Sequence, residues 1–213
     1  MTDTRTRLLE AAERLFAERG IDAVSLREIT RESGAKNAIA VQYHFEDRDG
    51  VLQAIFDKHV PEVDARRNAI LDEIEGNGTP DVRAMASALV RPLAAKLSDP
   101  DGGRQFLQIY SELIERPHHA DAGTDSSDSL QRWRRMLEPL LDEDAVRLHR
   151  RFTAILHTAI ELSRRARDRA RADDRLFTSY LIDVVTAILG APVSEETKRL
   201  AVERDRKRRR PAS

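Results

Sequence analysis

The chain has 213 residues, with 36 Lys+Arg against 37 Asp+Glu, six His and no cysteine. Its 40% hydrophobic and 34% charged residues suffice for a buried core and exclude wholesale disorder; near-neutral net charge leaves any nucleic-acid binding to local placement of cations. Without cysteine there are no disulfides, thiolate metal sites or cysteine nucleophiles, no run nears the roughly 18 apolar residues of a membrane span, and no secretory h-region follows Met1, so the expected location is the cytoplasm, with no membrane partner.

Helical periodicity runs through nearly the whole chain and strand alternation is almost absent. Leu8, Ala12, Leu15 and Phe16 form the inner face of a first helix that Gly20 ends. Ser25-Leu26-Arg27-Glu28 is a capping box opening a short second helix, with Leu26 and Ile29 inward and Gly34 as its stop. A third short helix is expected from about Asn37 to Tyr43. A fourth starts near Asp47, its inner face Val51, Leu52, Ile55 and Phe56. Pro61 is expected to kink or end it, before Val63, Ile70, Leu71 and Ile74 resume the stripe up to Gly76-Asn77-Gly78. Thr79-Pro80 reads as N-cap and first residue of the next helix. After a turn at Asp99–Gly103, a helix covers about 104–115. Residues 117–129, rich in His, Asp, Ser and Gly, read as a loop, and 130–141 are helical around Trp133. One long helix is expected over 143–171, then another capped by Asp173-Asp174 and ended by Gly190 and Pro192. The end of the chain, 206–213, reads as a disordered basic tail carrying Arg206–Arg210.

Two short helices joined by a glycine turn and packed by a longer first helix are the sequence form of a helix-turn-helix. The second helix must be short and well capped, because its N-terminus faces a phosphate. The third must present small or polar side chains, so that its backbone enters a major groove about 12 Å wide. Lys36, Asn37, Ala38 and Gln42 are therefore candidate base-reading positions: Asn and Gln pair with adenine, and Lys reaches guanine acceptors. Tyr43 and His44, at the helix end, suit backbone phosphates.

Residues 5–59 resemble the N-terminal DNA-binding domain of tetracycline-repressor (TetR) family transcription regulators. The resemblance rests on Arg7-Leu-Leu-Glu-Ala-Ala-Glu-Arg-Leu-Phe16, Gly20, Val24-Ser-Leu-Arg-Glu-Ile29, Ser33-Gly34, Tyr43-His-Phe45 and Leu52, in that order and spacing. It implies that Ser25 and Arg27 contact phosphates at the start of the second helix, that Tyr43 and His44 do so at the end of the third, and that Arg48 takes the place of the family's usual Lys. The chain departs from the usual pattern in three ways: the stretch from Gly34 to Phe45 is one residue longer, Ala38-Ile39 replace a Gly-Thr, and Glu46 stands at a position usually small. Residues 1–60 carry nine Lys/Arg against eleven Asp/Glu, which predicts a modest salt dependence of DNA binding.

The expected architecture is all-α: a helix-turn-helix DNA-binding domain over 1–50 joined to a larger helical regulatory and dimerisation domain over 51–205. A single short helix reads few bases, so such domains bind as two-fold dimers on palindromic duplex DNA. The resemblance places the homodimer interface on the last two long helices. The apolar stripe there nominates Phe152, Ile155, Ala159, Phe177, Tyr180, Leu181, Val184, Val185 and Ile188; packing into its own domain is the competing reading of the same stripe. The resemblance also implies an effector pocket, with Phe106, Tyr110, Leu113, Trp133, Leu137, Phe152, Leu156 and His157 as candidates and an apolar or aromatic small molecule as ligand. His118, His119 and Asp121 read as a solvated loop and not a metal site, since adjacent histidines point apart. The arginines from Arg147 to Arg171 read as a solvated face with acidic partners, against an anionic ligand or acidic partner.

The leading function is a sequence-specific transcription regulator, a repressor released by ligand, with no cofactor. The alternatives are an activator of the same fold and a helical interaction module without DNA. No phosphate-cradling glycine loop, nucleophile elbow or metal-spaced His/Glu set points to an enzyme.

Overall fold

The computed structural model describes residues 3–35, 37, 39–78, 80–116, 127–168 and 173–208. Among them, eleven α-helices and no strand are found. The N-terminal domain is α1 (Thr4–Arg19), α2 (Leu26–Glu32) and α3 (Ala40–Phe45), closed by the start of α4 (Arg48–Gly76). Leu8, Ala12 and Phe16 of α1 meet Ile29, Val41, Phe45, Leu52 and Ile55 in its core. Burying each of these large side chains is worth about 1.5–3 kcal/mol.

The C-terminal domain comprises the rest of α4, α5 (Val82–Ala94), α6 (Gly103–Glu115), α7 (Asp128–Leu137), α8 (Glu143–Arg147), α9 (Arg150–Arg167), α10 (Arg175–Gly190) and α11 (Glu195–Arg208). α6 packs along α9, while α5 lies between α4 and α10. Met85, Leu89, Phe106, Leu107, Trp133, Leu162 and Val185 fill the interior, and the same apolar cluster continues into the N-terminal domain. No single helix among the described residues is long and apolar enough to cross a membrane.

Several sequence expectations are corrected. α4 runs through Pro61 without ending, because Pro61 is exposed while Val63 and Leu71 carry the buried seam onward. The N-cap of α5 is Asp81, whose carboxylate accepts from the Ala84 amide at 2.7 Å, two residues beyond the expected start. The long helix expected over 143–171 is two: the chain breaks at Leu148–His149, where His149 adopts φ 57° and its carbonyl accepts from the amides of Phe152 and Thr153. The tail expected from 206 onward is helical as far as Arg208 in α11. His118, His119, Asp121, Arg169, Arg171, Arg209 and Arg210 lie outside the described residues.

Candidate nucleic-acid interface

α2 begins as the capping box requires. The Ser25 hydroxyl oxygen accepts from the Glu28 amide at 3.3 Å, and the Glu28 carboxylate accepts from the Ser25 amide at 2.9 Å. The Ser25 amide, the Arg19 guanidinium at 2.8 Å and the Ser25 hydroxyl hold the Glu28 carboxyl down at about 2. Gly34 turns the chain with φ 68°, a backbone conformation that costs glycine least.

α3 starts three residues later than expected. Asn37 precedes it, and its side-chain oxygen accepts from the Ile39 amide at 3.1 Å, while its carbonyl accepts from Ala40. The Asn37 oxygen is thus spent on the local turn, in the manner of an Asx turn. Lys36 and Ala38 lie outside the described residues. Ala40, Val41 and Phe45 face inward, which leaves Gln42 and Tyr43 outward. Tyr43 is 81% exposed and sits edge-on to the His44 ring at 5.1 Å. Ile39, missed in the sequence reading, is 58% exposed at the start of α3. A shallow groove of about 350 Å³ between α2 and α3 is lined by Ser25, Arg27, Ile39 and Gln42 among others.

Several of the acids that make this domain formally negative are engaged elsewhere. Glu13 is internal, Glu28 caps α2, Asp47 accepts from the Gly50 amide at 2.9 Å, and Glu32 meets Arg14. Arg27 is exposed and has no ion-pair partner among the described residues. The outward edge of α2 and α3 therefore offers a guanidinium, a hydroxyl, an amide and a phenol around a concave surface. Residues 8–55 match the family described as bacterial regulatory proteins, tetR family.

This N-terminal domain is of the tetR family. The matched residues take in α2, α3 and the start of α4, and so the whole of the edge described above. Two solved structures are similar in overall course. The AmtR protein of Mycobacterium smegmatis is 16% identical, with 95% of this chain and 94% of that one covered and a TM-score of 0.49. The transcriptional regulatory protein RHA5900 is 20% identical, with 94% of each chain covered and a TM-score of 0.42. No curated protein matches the chain.

Two further positions shape the tetR-type domain. Arg48 does not stand free: it donates to the Val24 carbonyl at 2.8 Å and lies 3.7 Å from Asp22, tying α4 to the turn before α2. Gly50 was not singled out in the sequence. A Cβ there would lie 1.9 Å from the Phe45 carbonyl oxygen, so the α3–α4 corner needs glycine. Its place in the first turn of a well-capped helix was the only available hint.

The regulatory candidates separate into groups. Phe106, Leu113, Trp133 and Leu137 are fully buried, and the Trp133 indole already donates to the Met85 carbonyl at 2.7 Å. The Tyr110 ring packs at a tilt against those of Phe106 and Phe56. Leu156 and His157 are half-buried, whereas Phe152 is 44% exposed and does not share that interior. Of the interface candidates, Ile155, Ala159, Leu181 and Val185 are buried within their own protomer. Tyr180 is exposed, with Phe177, Val184 and Ile188 half-buried, and Leu176, at 84% exposure, extends that surface. The basic helix proves largely paired: Arg147 with Asp144 and Asp205, Arg151 with Glu138, Arg164 with Glu161 and Arg165 with Asp174.

Proposed function

We propose that the protein is a homodimeric repressor that binds a palindromic operator and is released by a small-molecule effector. The observation that carries this is the outward α2–α3 edge of a tetR-family domain, with Ser25, Arg27 and Gln42 lining a concave groove and exposed Tyr43 beside half-buried His44 at the end of α3. Ser25, Arg27, Tyr43 and His44 take phosphates, which set register. Gln42 reads a base edge, and Ile39 offers an apolar contact for a thymine methyl. Lys36 and Ala38 complete the base-reading set. Arg48 acts by holding α4 on the α2 turn.

Dimerisation is supported by the apolar surface that α9 and α10 leave uncovered. Leu176, Tyr180, Phe152 and Ile160 are exposed there, beside half-buried Phe177, Val184 and Ile188. Pairing two copies through this face makes a four-helix bundle that fixes the spacing of the two recognition helices. The working division places DNA reading in residues 1–50 and regulation and assembly in 51–205. The effector is an apolar or aromatic small molecule held among Phe106, Tyr110, Leu113, Trp133, Leu137, Leu156 and His157. It acts by preferring a different spacing of the two DNA-binding domains, and so by no more than its differential affinity. The reading is of a cytoplasmic, non-enzymatic protein.

Selection of bound sequences from random duplex DNA tests the proposal. The expected result is a palindrome with half-sites about 34–36 Å apart. Recovery of no preferred duplex by the purified protein overturns it, in favour of an interaction module without DNA.

A further inference from the structure

Where the DNA-binding domain meets the regulatory domain, the interior is charged. Glu13 of α1 is 2% exposed, His59 of α4 is 1% exposed, and Lys96, in the 3-10 turn Ala95–Ser98, is 3% exposed. His59 Nε2 lies 2.9 Å from Glu13 Oε1, and its Nδ1 lies 3.8 Å from Asp99 Oδ2. Its ring is stacked on Phe106 of α6, with centroids 4.7 Å apart. One imidazole thus touches α1, the loop leading into α6, and α6 itself.

The groups around the ring leave one of its edges in conflict when it is neutral. Lys58, next to His59 on α4, donates to Glu13 at 3.0 Å and reaches Asp101 at 2.8 Å. Lys96 donates to Asp99 at 2.9 Å and to Glu62. Burial pushes Asp99 up, but Lys96 and the Asp101 amide outweigh it and leave its carboxyl below the ordinary value. A neutral imidazole donates through Nε2 to Glu13 and then turns a lone pair on Nδ1 towards the Asp99 oxygen. An imidazolium donates through Nε2 to Glu13 and carries its charge 3.8 Å from the Asp99 oxygen, so that it faces a carboxylate on each side. Gly102 packs against the same Glu13, where a Cβ would come within 2.4 Å of Oε2, so the loop follows the carboxylate closely.

We propose that His59 is a proton-operated positioning residue that couples the DNA-binding domain to the regulatory domain. In its protonated form it clamps α1, through Glu13, to the Asp99–Gly102 loop and α6. Loss of the proton loosens this junction and changes the orientation in which α2 and α3 are offered. The inference rests on the DNA-binding reading above.

The test is operator affinity of the full-length protein, by fluorescence anisotropy on a selected duplex, from about pH 5.5 to about pH 8.5, the range in which imidazoles titrate. The wild type is compared with His59→Gln, which keeps a donor to Glu13 but cannot titrate. The wild-type affinity is expected to change about fivefold or more across the range, a typical coupling between sites, and the profile of His59→Gln to be correspondingly flatter. His44 is present in both proteins, so its contribution cancels in the comparison. In parallel, the His59 ring resonance, assigned by its absence in His59→Gln, is followed in histidine-labelled protein. Its midpoint is expected to move when operator is added, because linkage is reciprocal, and to fall in Glu13→Gln, which keeps the shape of the junction. Parallel affinity profiles for wild type and His59→Gln, or a midpoint indifferent to operator, overturn the proposal while the DNA-binding reading stands. Failure to bind any duplex at any pH overturns that reading and takes the coupling with it.

Discussion

Glu46 is the residue at which this domain works against itself. It follows α3 with φ 65° and ψ −63°, a conformation in which a side chain is strained, and it adds a carboxylate beside the edge proposed to meet phosphates. Glu46→Gly is expected to raise stability by about 1 kcal/mol in chemical denaturation and to tighten operator binding in the same preparation. Gly50 is the opposite case. Gly50→Ala drives a Cβ against the Phe45 carbonyl and is expected to destabilise the N-terminal domain by about 2–3 kcal/mol. At the start of α2, Ser25→Ala removes the cap and is expected to cost about 1 kcal/mol. The same cap sets a pH dependence. The Glu28 carboxyl is lowered from 4.5 to about 2, so its contribution is complete above 4.5 and fades as pH falls towards 2. Protection of the amides over residues 25–32, measured against their intrinsic exchange rates at each pH, is expected to fall in that window, and less so in Glu28→Gln.

At the scale of elements, α10 has two faces with different duties. Leu181, Val185 and Leu189 are buried against the protomer, while Leu176 and Tyr180 stand in solvent. Substituting both Leu176 and Tyr180 by Glu is expected to yield a folded monomer by sedimentation, with operator affinity lower by about a hundredfold or more, since each half-site is then held alone. Val185→Glu is expected instead to unfold the protomer, because an unpaired carboxylate cannot enter that interior without a penalty of several kcal/mol. A dimer that survives the double substitution assigns this face to some other use. Pro61 teaches a related lesson about helices. The helix continues past it because the ring faces outward and the buried seam on the other side is unbroken.

At the scale of the molecule, the two domains are joined by more than α4. The Ile21 amide donates to both oxygens of Glu112 on α6, at 3.1 and 3.2 Å. Arg116, at the end of α6, donates to Asp22 and to Glu112, each at 2.9 Å. The turn that positions α2 is thus hydrogen-bonded to the C-terminal domain. Glu112→Ala is expected to speed hydrogen exchange at the Ile21 amide about tenfold or more, the effect of losing a bond to a charged acceptor. Unchanged exchange at Ile21 would place the restraint in apolar packing instead.

Much of this protein is legible in its residues taken in order. The heptad-like spacing of Leu8, Ala12, Leu15 and Phe16, the Ser25–Glu28 box and the Gly34 turn name the all-α class and the helix-turn-helix, because they depend only on neighbours within one or two turns of helix. Which apolar residues face inward is a different matter. Leu176 and Leu181 are equivalent in the α10 pattern, and only the packing of α5 and α9 against one side buries Leu181 and leaves Leu176 out. The same holds for charge. Glu13 reads as a solvated residue of an amphipathic helix, yet the approach of His59, Lys58 and the loop at Gly102 encloses it. Period and capping are local in the chain, so the sequence alone determined most of the helices and their order, though not the break at His149 or the extent of α11. Burial, ionic partners and the enclosed histidine depend on segments some 45 residues or more apart meeting in space, as Glu13 and His59 do, and only the tertiary structure decided them.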